Sequence, residues 1–96
     1  MFSNQLTHAQ VERLALLAEE MGEAIQVIGK ILRHGLMSCN PKDTEEWTNK
    51  ELLEKELGDV TFAVNLLCEN NDIDLYRINE ECANKAMRVK PYLHHQ

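Results

Sequence analysis

The sequence predicts an all-α fold. Three observations carry that expectation. Apolar residues recur in alternating steps of three and four through three long stretches, the period of one face of a helix. Two of the stretches open on capping-box signatures, Thr7 with Gln10 and Thr48 with Glu51. No segment alternates apolar and polar residues at the period of two that a half-buried strand needs.

Residues 1–6 read as a short arm. The first helix is expected over 7–34, with an apolar seam of Val11, Leu14, Ala18, Met21, Ile25, Ile28 and Leu32. Leu17, Ala24 and Ile31 form an adjacent stripe, so the apolar face is wide. Gly35 is a natural C-cap, because a helix end often needs a backbone angle that only glycine adopts freely. Residues 35–47 read as a loop carrying Ser38, Asn40-Pro41, Asp43 and Thr44. It is long for a helix connection, as expected of a loop folded over a site or a neighbouring subunit. Trp47, the one tryptophan, is read as an anchor of that loop on the bundle in preference to a stacking platform for a base.

The second helix is expected over 48–70, with an earlier start at Asp43 paired with Glu46 as the alternative. Its seam is Leu53, Leu57, Val60, Val64 and Leu67, and Leu52, Phe62, Ala63 and Leu66 make a second stripe. Gly58 lowers helix propensity there and leaves room for another backbone to come close. Asn70-Asn71-Asp72 is a turn. The third helix is expected over 73–90, with Leu75, Ile78, Cys82, Ala86 and Val89 facing inward and Lys85 on the same face; Pro91 ends it. His94-His95 in the tail is read as incidental. The apolar stripes exceed what three helices of one chain can cover. A homodimer or homotetramer completing a four-helix-type bundle is the expected solution.

Ninety-six residues, 44% hydrophobic and 27% charged, bound the chain to a single globular domain, 1–96. A net charge of −6 argues against a nucleic-acid polymer as partner, since phosphate contacts need a basic stripe. The N-terminus lacks an apolar signal core and no run approaches membrane-spanning length. The three cysteines, Cys39, Cys68 and Cys82, have no CxxC spacing. They fit a reducing compartment, and Cys68 and Cys82 read as core residues. The expected location is cytoplasmic.

Five acids break the pattern of a solvated surface. Glu19, Glu20 and Glu23 fan over one side of the first helix, and Glu20 has Leu16, Leu17, Ala24 and Val27 as its neighbours at helical spacing. Glu56 and Asp59 share a side of the second helix, with Asp59 among apolar residues. A carboxylate in that setting is costly without a partner. Five acids on two apolar-flanked helices suggest a divalent-cation site inside a bundle, against the plainer reading of an acidic face in water. Glu51 and Glu54 are read as solvated.

The pattern Glu19-Glu20-x-x-Glu23 followed by Glu56-x-x-Asp59 resembles the all-α nucleoside triphosphate pyrophosphohydrolases of the MazG-like superfamily. The runs EEMGEAIQVIGKILRHG and LLEKELGDV, with a terminal helix of spaced basic residues, are similar to its small phage and bacterial members. The resemblance extends from about Val11 to the C-terminus. It implies a magnesium-dependent enzyme, with Mn2+ as a substitute, that cleaves a nucleoside triphosphate to a monophosphate and pyrophosphate. It implies Glu19, Glu20, Glu23, Glu56 and Asp59 as metal-binding acids. Glu19 and Glu20 are the candidates for orienting the attacking water, and the sequence does not choose between them. Lys85 and Arg88, matching the family's basic helix loosely, and Lys30 are the candidates for contacting phosphates. For Lys85 the competing expectation is a salt bridge to one of the acids. Two other functions compete: a non-catalytic helical interaction module, and the related phosphoribosyl-ATP pyrophosphohydrolase, for which Lys30 and Arg33 would meet the extra phosphate.

Overall fold

The computed structural model describes residues 4–42 and 46–96. The order of elements is α1 (His8–His34), α2 (Asn49–Glu69), α3 (Leu75–Val89) and a 3-10 turn, Lys90–Tyr92. No strand occurs among the described residues, so the fold is all-helical.

Local chemistry sets the ends. The Thr7 hydroxyl accepts from the Gln10 backbone N–H, and the Gln10 side chain accepts from the Thr7 N–H in return. Thr48 and Glu51 repeat that box at α2. Gly35, at φ 90°, donates its N–H to Ile31 O at 2.7 Å and closes α1. The third helix begins two residues later than expected, because the Asp74 side chain accepts from the Tyr76 N–H and caps the helix there.

The connection after α1 is tied rather than open. Lys50 and Asn49 donate their backbone N–H groups to Leu36 O and Ser38 O, and a single antiparallel bridge pairs Cys39 with Thr48. Asn49 is buried, and its side chain donates to Gly35 O. Trp47 is half-buried beside this tie. Asp43 and Thr44, and with them the alternative start of α2, lie outside the described residues.

The two long helices pack against each other as a hairpin. The buried apolar positions among the described residues are Ala24 and Val27 on α1 and Ala63 and Leu67 on α2. Half-buried Leu17, Glu20, Glu23 and Ile31 share that side of α1, and Leu52, Glu56, Asp59 and Val60 share that side of α2. The two apolar stripes of α1 are used differently. Within the chain the adjacent stripe of α1 does the packing, while the seam faces outward, with Ile25 68% and Leu32 82% exposed. On α2, Leu57 and Phe62 are likewise exposed.

The third helix has no inward face in this chain. None of its residues is buried; only Ile78 and Val89 are even half-covered, and Leu75, Cys82, Lys85 and Ala86 are exposed. Cys82 is therefore not a core residue, and Cys68 is half-buried. The radius of gyration is 17.0 Å, against about 12.5 Å for a compact chain of this length. The difference is α3 standing away from the hairpin.

Candidate metal centre

Glu20, Glu23, Glu56 and Asp59 lie on the packed faces of α1 and α2. Glu20 and Glu23 are three residues apart on one helix, and Glu56 and Asp59 are three apart on the other, so each pair lies on one side of its helix. Each of the four offers an oxygen, and these oxygens all lie within 4.8 Å of one another. Lys30 is two turns of α1 beyond Glu23, roughly 10 Å along the axis. There it lines a cleft of about 330 Å3 with Arg33, His34 and Ser38.

Electrostatics record the crowding. The Glu20 carboxyl is pushed above the ordinary glutamate range, first by burial between the helices, then by the charges of Glu23 and Asp59, contact with Glu23, and the charge of Glu19. Glu56 is pushed the same way by burial and by Glu23, partly offset by Lys55. Glu20 Oε2 and Glu56 Oε2 are buried with no hydrogen-bond partner among the described residues. Buried carboxylate oxygens without partners are costly, and four acids facing one another repel. A divalent cation removes both costs, and an all-oxygen donor set is the one that Mg2+ and Mn2+ prefer. The residues fit such an ion.

A model of the MazG nucleotide pyrophosphohydrolase domain matches residues 8–94. The chain belongs to the MazG family. No curated protein and no solved structure matches it. Membership makes the chain a nucleotide pyrophosphohydrolase domain, in a family that typically depends on a divalent metal.

The other acids and bases singled out in the sequence fall elsewhere. Glu19 is exposed and outside the converging four, although near enough for its charge to act on Glu20. Glu51 belongs to the cap of α2, and Glu54 is exposed. Lys85 and Arg88 are exposed on α3, and Lys85 makes no ion pair with a described residue. The salt bridge considered for it is thus not made within the described part of this chain. A Cβ at Gly58 would meet nothing within 4 Å, so the chain's own packing does not use the close approach expected there.

One residue of this MazG domain went unread in the sequence. Lys55 Nζ lies 2.9 Å from Asp59 Oδ2 and 3.7 Å from Glu56 Oε1. The signal that finds it is its spacing, four residues before Asp59 and one before Glu56 on a helix.

Proposed function

We propose that this MazG domain is a magnesium-dependent nucleoside triphosphate pyrophosphohydrolase, cleaving between the α and β phosphates to give a nucleoside monophosphate and pyrophosphate. The observation that carries the reading is the convergence of Glu20, Glu23, Glu56 and Asp59, with oxygens within 4.8 Å and two buried oxygens without a partner among the described residues. These four are the metal ligands. Held by them, Mg2+ would neutralise the triphosphate and polarise its phosphoryl oxygens. Without a cation, four carboxylates would repel a polyanion.

The remaining roles follow from placement. Glu19, exposed beside Glu20 and free of the converging set, is suited to orient the attacking water; Glu20 is the other candidate for that role. Lys85 and Arg88 contact the triphosphate from a helix that stands off its own hairpin, and Lys30 does so more distantly along α1. A basic helix so placed is suited to serve the site of a second copy.

The domain acts as a homodimer or homotetramer. Support comes from two apolar faces left exposed among the described residues: the seam of α1 with Ile25 and Leu32, and the apolar positions of α3. Joined between copies, they complete the bundle that one chain leaves open. No helix among the described residues is long and apolar enough to cross a membrane. A nucleoside triphosphate substrate and three free cysteines support a cytoplasmic site of action.

The test is a pyrophosphate-release screen over the canonical and commonly damaged nucleoside triphosphates, with and without Mg2+. Metal-dependent release from at least one of them is expected. No release from any of them, with Mg2+ or Mn2+, would reject the reading and leave a non-catalytic module or a phosphoribosyl-ATP pyrophosphohydrolase.

A further inference from the structure

The acidic cluster is not bare on the α2 side. The Lys55 ammonium reaches over one turn of helix to Asp59 and touches Glu56 on the way, at 2.9 and 3.7 Å. It therefore spans both acids that α2 contributes to the converging four. On the α1 side, Glu20 and Glu23 make no ion pair with a described residue. One positive charge is thus set against four negative ones, and it is held at the edge of the cluster.

We propose that Lys55 is the resident counter-ion of the metal-free cluster, displaced from Asp59 and Glu56 when a divalent cation takes their oxygens. The proposal rests on the reading of these four acids as metal ligands. Three features argue for displacement. A divalent cation carries twice the charge of an ammonium and approaches carboxylate oxygens more closely, at about 2.1 Å for magnesium. An ammonium left against the same two carboxylates would face that ion as a like charge. The Lys55 side chain is 49% exposed, so its flexible stem has solvent to turn into.

The consequence is a competition built into the site. Lys55 eases repulsion among the acids while no metal is bound, and metal must displace it to enter. Removing the ammonium should weaken the metal-free protein and strengthen metal binding. The gain should be roughly two- to fivefold in affinity, the range of an exposed ion pair.

Two measurements on the full chain test this. Calorimetric titration with Mg2+, and with Mn2+ for a stronger signal, compares wild type, Lys55→Met and Lys55→Arg. Tighter binding is expected in Lys55→Met, near-wild-type binding in Lys55→Arg, and a lower metal-free melting temperature in Lys55→Met. Acetylation of lysines by acetic anhydride, read residue by residue by mass spectrometry, reports displacement itself. Lys55 should react faster once metal is added, while exposed Lys50 on the same helix stays constant. Equal metal affinity in wild type and Lys55→Met would overturn the proposal and leave the metal site standing. So would a Lys55 reactivity that metal does not change. Failure of wild type and both variants to bind either ion would overturn this inference together with the metal-site reading.

Discussion

Arg13 on α1 donates from its guanidinium to both carboxylate oxygens of Asp72, at 2.6 and 3.2 Å, fifty-nine residues further along the chain. Gln10 donates to the same carboxylate. Asp72 sits in the turn between α2 and α3, so the pair fixes the point at which the third helix leaves the hairpin. It also holds the Asp72 carboxyl below its ordinary value, chiefly through the Arg13 hydrogen bond.

That shift has a defined sign. A carboxyl lowered in the folded state binds fewer protons there than when unfolded. It stabilises above the unfolded value of 3.8, and the stabilisation disappears as pH falls through the lowered one. At neutral pH, Asp72→Asn should melt a few degrees below wild type. Thermal scans should show the gap closing below about pH 4. A gap that stayed constant down to the acid limit of folding would mean that the charge of Asp72 is not what stabilises the turn.

The exposed seam of α1 makes a separate prediction. Wild type should associate, with a melting temperature that rises with protein concentration. Ile25→Glu puts a charge in the middle of that seam and should yield a monomer by light scattering, with helical content kept by the α1–α2 hairpin. A wild-type chain that remained monomeric at micromolar concentration would contradict the oligomer.

Much of this could be read from the sequence, and the limits are physical. The capping boxes at Thr7 and Thr48 and the stop at Gly35 were legible because each is a local event. The facing of Glu20 and Glu23 toward Glu56 and Asp59 was legible because spacing by three puts each pair on one side of its helix. The choice of packing stripe was not legible. Leu17, Ala24 and Ile31 are apolar at helical spacing, and so are Met21, Ile25 and Leu32. Periodicity reports that a face is apolar, not whether the chain or a second copy covers it. The Lys85 stripe is the same case: it reads as inward, and within this chain it is exposed. The Arg13–Asp72 pair and the Asn49 bond to Gly35 join residues far apart in sequence, and no local pattern announces them.

Lys85 provides the test of the phosphate contacts. If it binds the triphosphate, Lys85→Met should lower kcat at saturating substrate about 10- to 100-fold, with Mg2+ affinity little changed. A structural lysine would instead give a lower melting temperature and near-normal turnover. That outcome would remove Lys85 from the site and leave the phosphates to the metal ions, with Arg88 and Lys30 in support.

Hydrolysis, as proposed, depends on a metal held by Glu20, Glu23, Glu56 and Asp59. Asp59→Asn tests it most directly, because the change removes one charge and almost no volume from a self-repelling cluster. The measurement is Mg2+-dependent pyrophosphate release from the best substrate of the screen, taken alongside a melting curve of the same preparation. A loss of activity of at least roughly a hundredfold is expected in a protein whose metal-free melting temperature is close to that of wild type. Full Mg2+-dependent activity in a folded Asp59→Asn chain would contradict it.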